Sequence, residues 1–324
     1  MEENTEQRVD LTLFSEKIQE LKDRIASVIV GQEQTVDLVL TAILANGHVL
    51  IEGVPGVAKT LLARLTARLI DADFSRVQIT PDLMPSDVLG TTVFNMKTNG
   101  FDFHQGPIFA DIVLVDEINR APAKTQAALF EVMEERQISI DGTTHRMGDL
   151  YTILATQNPV EQEGTYKLPE AQLDRFLMKI TMDYPSLEEE VNILERHHTN
   201  AALVKLDDIV PAITKEELLS LRAFMNQVFV DRTLLQYIAL IVQQTRTSKA
   251  VYLGASPRAS VAMLQSSKAY ALLQGRDFVT PEDIKFVAPY VLQHRLILTA
   301  EAEMEGYSPV KVTQRLIDKV EVPK

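Results

Sequence analysis

The chain has 324 residues, and its 46% hydrophobic content is enough to fill the cores of roughly two domains. Its 32 Lys and Arg against 45 Asp and Glu give a formal net charge of −13, which argues against a protein that holds nucleic acid mainly by neutralising phosphates. The absence of cysteine excludes disulfide frameworks, thiolate zinc sites and cysteine nucleophiles.

The chain opens on polar, acidic residues that two amphipathic segments follow. The opening residues, MEENTEQRVD, resemble neither a secretory signal nor a transit peptide, and no run reaches the roughly 18 apolar residues of a transmembrane helix. Apolar residues at spacings of three and four predict a helix over 11–25, and a second helix is predicted over Glu33–Ala45. We expect a cytoplasmic protein without membrane insertion, with residues 1–29 forming a helix packed on the core.

Short apolar runs alternate with helical patterns as far as residue 185. The predicted strands are His48–Ile51, Val77–Ile79, Ile112–Val115, Tyr151–Ala155 and Leu177–Met182. Helical patterns over Thr60–Ile70 and Lys124–Glu135 separate some of them. This order predicts an α/β core with a doubly wound parallel sheet over residues 30–185.

Two segments with the alternation of β-strands interrupt that order. Residues 88–104 alternate around Thr98-Asn99-Gly100, and residues 137–147 alternate around Asp141-Gly142. An Asp-Gly pair is the strongest short signal for a hairpin turn. Both segments are therefore predicted to be β-hairpins inserted into the core.

The second half of the chain contains repeated helix-start signals and almost no strand signal. Ser186 and Thr214 are each followed three residues later by a glutamate, which matches the capping box, and Thr280 precedes a proline suited to a first helical turn. Residues 186–324 are therefore predicted to form a small all-α domain.

A glycine-rich loop lies between the first predicted strand and the next helix. The segment GVPGVAKT (53–60) has the strand–loop–helix context of a phosphate-binding loop, whose N–H groups surround phosphate oxygens at the positive end of a helix. Lys59 would reach the β- and γ-phosphates, and the Thr60 hydroxyl would bind Mg²⁺. Ala58 replaces the usual glycine, so we expect either a negative φ or slight strain there. An ordinary turn is the alternative for the loop taken alone.

Two carboxylates directly follow the predicted strand Ile112–Val115. Asp116 and Glu117 at the end of an apolar strand match the Walker B pattern, in which the first acid holds the Mg²⁺ shell. Glu117 would then polarise the attacking water as a general base. A solvated acidic turn is the alternative, but the phosphate loop earlier in the chain favours a nucleotide site.

With these elements the sequence resembles the AAA+ ATPases, and within them the MoxR family, over about residues 10–310. The matching segments are GVPGVAKT (53–60), VDEINRAP (115–122), ATQNP (155–159), LPEAQLDRF (168–176) and GASPRA (254–259). Alanine before the P-loop lysine is usual in MoxR proteins. The two hairpins correspond to the helix-2 insert and pre-sensor-1 hairpin of a clade that includes magnesium-chelatase ATPase subunits, dynein and the MCM helicases. The resemblance implies an AAA+ core followed by a helical lid.

The resemblance also implies roles for three further residues. Asn158 takes the position of sensor 1, which orients the water or the γ-phosphate. Arg175 matches the arginine finger, which reaches the ATP of the neighbouring subunit, and Arg258 matches sensor 2, acting in cis on the γ-phosphate. Taken as isolated residues, Asn158 could form a turn and Arg258 could face solvent. Arg175 could pair with Asp174 or Glu170 on the surface. Arg120 receives no role.

The predicted site comprises three sets of residues, with ATP and Mg²⁺ as cofactors. The residues predicted to act in catalysis are Lys59, Glu117, Asn158, Arg175 and Arg258. The predicted metal ligands are Thr60 and Asp116. The segment 28–32 resembles the one that lines the adenine pocket, although a simple helix-entry loop would look the same. The residues predicted to bind nucleotide are Val30, Gly31, Gly53, Val54, Pro55, Gly56, Val57, Ala58, Lys59, Thr60, Leu61 and Arg258.

An arginine finger acting in trans implies a homo-oligomeric ring, most simply a hexamer. The resemblance implies an ATP-driven chaperone that matures or activates partners, often proteins with von Willebrand factor A (VWA) domains. The hairpin turns at Lys97–Phe101 and Asp141–Thr144 either contact a partner or line a pore, or only brace the ring. Other functions are the motor of a magnesium-chelatase-like complex, a DNA-acting motor, which the −13 charge disfavours, and a nucleotide-gated scaffold without turnover.

Overall fold

Two helices precede the central sheet in the computed structural model, which describes residues 11–159, 165–166, 168–199 and 206–322. α1 (Leu11–Val28) buries Ile18, Leu21 and Ile25, the predicted apolar face, and packs on α2 (Glu33–Leu44). The other α-helices among the described residues up to 182 are α3 (Lys59–Leu69), α4 (Pro85–Leu89), α5 (Ala123–Glu135) and α6 (Glu170–Leu173). None of the described helices is both long and apolar enough to cross a membrane.

Five parallel strands form the central sheet, as the sequence predicts. The strands of this half of the chain are β1 (Val49–Gly53), β2 (Phe74–Gln78), β3 (Gly90–Asn95), β4 (Gly100–Gln105), β5 (Ile112–Asp116), β6 (Gln137–Ile140), β7 (Thr143–Arg146), β8 (Thr152–Gln157) and β9 (Met178–Met182). The sheet has the order β2-β5-β8-β1-β9. β5 is buried along its whole length, because helices cover both faces. The carboxyl ends of all five strands lie on one side of the sheet, where such folds usually bind ligands.

The two predicted hairpins are confirmed. β3 pairs with β4 and β6 pairs with β7, both in antiparallel register. At the second turn, Asp141 and Gly142 have φ angles of 50° and 79°, the left-handed values that a two-residue type I′ turn requires. Asn99 at the first turn is also left-handed, with φ of 51°. The sequence therefore specifies both hairpins locally.

The second half of the chain is helical with one small sheet. Its helices are α7 (Leu187–His198), α8 (Lys215–Phe224), α9 (Arg232–Thr247), α10 (Pro257–Leu273), α11 (Pro281–Leu292), α12 (Ala300–Met304) and α13 (Pro309–Asp318). Capping boxes form at Ser186 and Thr214, as predicted, and the predicted cap at Thr280 also forms a capping box. The sequence missed an antiparallel pair, β10 (Val251–Leu253) and β11 (Ile297–Leu298), whose strands are too short to give a periodic signal. The domain boundary near residue 185 stays a prediction.

A buried histidine ties the start of β1 to its neighbours. Nδ1 of His48 accepts a hydrogen bond from the N–H of Ile153 at 2.9 Å, and Nε2 lies 3.1 Å from the carbonyl oxygen of Met133. Burial, together with the positive charge of Arg136, lowers the pKa of His48 to about 3. The ring is therefore neutral in the native state over the whole physiological range.

Acid should destabilise the protein partly through this histidine. The unfolded chain binds a proton at His48 near pH 6.5, whereas the native state does not until about pH 3, so this contribution to stability is lost as pH falls below 6.5. Between pH 7.5 and 5.5 we expect the free energy of unfolding to fall by about 1.4 kcal/mol more in wild type than in His48→Asn. Urea titrations at both pH values measure this difference. Equal pH dependence in the two proteins would contradict it.

Candidate nucleotide site

The loop between β1 and α3 has the backbone of an anion-binding concavity. Gly56 has φ of 89° and Ala58 has φ of 63°, with Val57 between them outside the left-handed region. Such alternation turns successive N–H groups toward one point. The expectation of a negative φ at Ala58 is wrong. The alternative, slight strain, holds, because an alanine in this conformation carries about 1 kcal/mol of strain. The Nζ of Lys59 donates to the carbonyl oxygen of Gly53 at 2.5 Å, so the lysine side chain spans the loop.

A cavity of about 280 Å³ adjoins this loop. One wall is the segment 28–32, which the sequence linked to the adenine pocket, and Gly56, Val57, Ala58 and Leu61 form the floor. The opposite wall, which the sequence analysis did not identify, comes from Pro185 and from α7 through Ile193, Arg196 and His197. The arrangement suits a flat, apolar ring beside a phosphate-binding loop.

Gly31 allows the wall of the cavity to close. Its φ is 72°, and a Cβ at this position would lie 2.3 Å from Oε1 of Glu189 on α7. The guanidinium of Arg196 reinforces the contact by donating to the carbonyl oxygens of Ala26 and Ser27 at 3.0 and 2.7 Å. Glycine is therefore favoured here for its conformation, and a larger residue would also have to displace the carboxylate of Glu189.

The two predicted acids lie at the carboxyl end of β5, which is the strand next to β8. The side chain of Asp116 is largely buried, and its Oδ1 accepts a hydrogen bond from the hydroxyl of Thr156 at 2.5 Å. The same hydroxyl oxygen accepts the N–H of Glu117 at 2.9 Å. Glu117 has a left-handed backbone, with φ of 61°, and its carboxylate lies 3.3 Å from Nε of Arg120. Thr156 therefore fixes both acids relative to β8.

β8 connects the acids to the phosphate loop. It pairs with β5 on one side and with β1 on the other, and Thr156 is level with Ile51. Asn158 directly follows β8 and is 6% exposed, so it lies at the edge where the loop begins. The structure thus brings the loop, the acid pair and Asn158 together on three adjacent strands.

Arg175 and Arg258 lie elsewhere, together in an open cleft of about 480 Å³. Nε of Arg175 is 3.4 Å from Oε2 of Glu134, and Nη2 of Arg258 is 3.5 Å from Oε1 of the same carboxylate. The cleft also includes Asn46, Gly47 and His48, which precede β1. It therefore opens at the amino ends of the strands, whereas the phosphate loop lies at their carboxyl ends.

This placement corrects the expectation for Arg258. Residues 47 and 53 lie at opposite ends of β1, on the order of 20 Å apart at about 3.3 Å per residue. An arginine beside residue 47 does not reach phosphates at residue 53 of the same chain, so a cis role for Arg258 is wrong in this conformation. Arg175 and Arg258 instead share the carboxylate of Glu134 in this cleft.

Comparisons with known proteins agree with this geometry. Residues 48–178 match the ATPase family associated with various cellular activities (AAA), and residues 243–318 match the AAA lid domain. The chaperone MoxR1 of Mycobacterium tuberculosis is 44% identical over 93% of this chain and 81% of its own. The chain belongs to the MoxR family of AAA+ ATPases. It is therefore an ATP-hydrolysing, nucleotide-binding enzyme with an AAA+ core and a helical lid, as the sequence predicts.

Other relatives span nearly the same length. Protein YeaC of Bacillus subtilis, which is uncharacterised, is 47% identical over 93% of both chains. Protein MoxR of Methylorubrum extorquens is 30% identical over 91% of both chains. A crystal structure from Cytophaga hutchinsonii, provisionally described as an ATPase, superposes with a TM-score of 0.88 at 40% identity, covering 97% of each chain.

Sequence reasoning missed several residues that contact the predicted MoxR-type site. Arg76 and Gln78 on β2 bind Asp116 and Glu117, Thr156 binds both acids, and Glu134 holds the two arginines. A signal existed for the first pair, because polar residues at alternate positions of a strand point to one side. Glu134 gave no such signal, since it reads as one more acid on a solvated helix face.

Proposed function

We propose that this MoxR-family ATPase hydrolyses ATP at the boundaries between identical subunits of a ring, most simply a hexamer. The observation that carries the proposal is the separation of the two halves of the site. The phosphate loop and acid pair lie at one edge of the sheet, and Arg175 and Arg258 lie at the other. A second subunit that places its arginine cleft against the loop completes the site, so the proposal includes both arginines acting in trans.

The residues present fit a magnesium–nucleotide complex. Asp116 and Thr60 offer the hard oxygen donors that Mg²⁺ prefers, and the Asp116 carboxylate already holds a cation, the guanidinium of Arg76 at 2.7 Å. Mg²⁺ held by Thr60 and Asp116 would neutralise negative charge on the phosphates. The loop N–H groups and Lys59 then hold the phosphates.

Water activation falls to the residues beside the loop. Glu117 accepts a proton from the attacking water, and the buried amide of Asn158 orients that water or the γ-phosphate. The guanidinium of Arg175, with that of Arg258, stabilises charge that develops on the phosphoryl oxygens of the neighbouring subunit.

The proposed work of the ring is the maturation of partner proteins, with VWA-domain proteins as the expected class. The name of the relative MoxR1 supports a chaperone role. The tip of the β3–β4 hairpin offers a surface for a partner, because Met96 and Phe101 are 89% and 74% exposed and Phe94 packs on Phe101 with ring centroids 5.3 Å apart. A cytoplasmic location belongs to the same proposal.

Dependence of turnover on assembly tests the proposal. If each site needs two subunits, phosphate release per subunit should rise with protein concentration until the ring is saturated. Lys59→Ala should lower that release by about 10² or more, because the phosphates lose a direct cationic contact. Phosphate assays with parallel light scattering measure both. A monomer whose specific activity does not change with concentration would contradict the proposal.

A further inference from the structure

Arg76 on β2 forms a close ion pair with the first Walker B acid. Its Nη2 and Nε donate to Oδ2 of Asp116 at 2.7 and 3.2 Å, and Nη2 also donates to Oε1 of Gln78 at 2.7 Å. The Asp116 side chain is 13% exposed and that of Arg76 is 47% exposed. The hydrolysis mechanism above makes no use of this arginine.

β2 contacts both acids through neighbouring side chains. Arg76 and Gln78 are two residues apart and so lie on the same face of the strand. Gln78 is level with Asp116 in the parallel register, and its Nε2 donates to Oε2 of Glu117 at 3.1 Å. The edge strand β2 is thus attached to both carboxylates by charged or polar contacts.

Arg76 and Mg²⁺ would compete for the carboxylate oxygens of Asp116. Oδ1 accepts the Thr156 hydroxyl and Oδ2 accepts two guanidinium N–H groups, so Oδ2 is fully used as an acceptor. Mg²⁺ requires ligand oxygens at about 2.0–2.1 Å or an ordered water shell, and the doubly donating guanidinium blocks both arrangements at Oδ2. Two cations close to one carboxylate also repel each other.

We propose that Arg76 is the resident counter-ion of Asp116 and competes with Mg²⁺ for its carboxylate. The inference rests on the proposed nucleotide site and deepens it. Without metal, Arg76 reduces the repulsion between Asp116 and incoming phosphates. When metal–nucleotide binds, the guanidinium leaves Asp116, which removes that side-chain contact between β2 and β5.

The effect of Mg²⁺ on the affinity for nucleotide provides the test. The affinity for a fluorescent, non-hydrolysable ATP analogue is measured in excess Mg²⁺ and in EDTA, and the ratio of the two affinities is compared between variants. Arg76→Gln should raise this ratio about tenfold, because metal binding no longer displaces a cation and metal-free binding loses one. Arg76→Lys keeps a charge but not the paired donors, so its ratio should rise about threefold.

The control is Arg64→Gln, which removes the same charge from an exposed position on α3. Its ratio should equal that of wild type. A ratio for Arg76→Gln within twofold of wild type, or below it, would overturn the inference. If circular dichroism shows that Arg76→Gln does not fold, Arg76→Lys decides by the same criterion. Wild type that fails to bind the analogue in Mg²⁺ would contradict the proposed function itself.

Discussion

Mixing Lys59→Ala subunits with Arg175→Ala subunits should restore ATP hydrolysis that neither variant has alone. Each variant disables every site in its own ring, since one loses a phosphate contact and the other loses the finger, which contributes about 10³–10⁵ in rate. In a mixed ring, an Arg175→Ala subunit supplies an intact phosphate loop to a neighbour, and a Lys59→Ala subunit supplies an intact Arg175. Random mixing in equal amounts completes about one boundary in four.

The structural basis of this expectation is the direction in which Arg175 points. It precedes β9 at the amino end of the sheet, and its guanidinium lies between Glu134 and the ring of Phe130, 5.8 Å from the ring centroid. A residue held there has no path to the loop of its own chain. If Arg175 acted in cis, the mixture would stay as inactive as its components, and this is the outcome that would refute the proposal.

Arg258→Ala provides the matched second mixture. Because its guanidinium contacts the same Glu134 carboxylate as Arg175, Arg258→Ala should also be rescued by Lys59→Ala subunits. A mixture of Arg175→Ala with Arg258→Ala should stay inactive. Each boundary takes both arginines from one subunit, and every subunit in this mixture lacks one of them. Phosphate release after subunit exchange measures all three mixtures.

Local sequence signals were sufficient wherever one segment determines its own structure. The hairpin at Asp141-Gly142 and the capping box at Ser186 depend on residues within four positions of each other, and both formed as predicted. The parallel strands were also predictable, because burial on both faces leaves continuous apolar runs such as residues 112–115. Short elements such as β10 and β11 were missed because they contain too few residues for a period.

The parts of the site that sequence could not give are those made by packing between distant segments. Arg76 is 40 residues from Asp116, and only the parallel register of β2 on β5 brings them together. The position of Arg258 depends on how the lid docks on the core. The family resemblance implied that Arg258 acts in cis, and this expectation was wrong. The left-handed φ of Ala58 contradicts the expected negative φ and agrees with the alternative of slight strain.

Glu117→Gln should leave nucleotide binding within about threefold of wild type while slowing phosphate release by about 10²–10⁴, the usual contribution of a general base. The amide retains the size of the side chain and can still accept a hydrogen bond from Gln78, which now lies 3.1 Å from Oε2. Affinity for a fluorescent ATP analogue and single-turnover phosphate release separate the two effects. Equal hydrolysis rates in the variant and wild type would remove the catalytic assignment of Glu117, and negligible rates in both would favour a nucleotide-gated scaffold.

The same variant also tests the partner, because slow hydrolysis holds the ring in its ATP form. Purified with ATP, Glu117→Gln should retain a VWA-domain protein that wild type in ADP does not. Adding Met96→Ser and Phe101→Ser should abolish this retention without changing nucleotide affinity, since both side chains project from the exposed hairpin tip and lie outside the nucleotide site. Retention that survives these substitutions would show that the partner binds elsewhere, and the hairpin would then serve only to brace the ring.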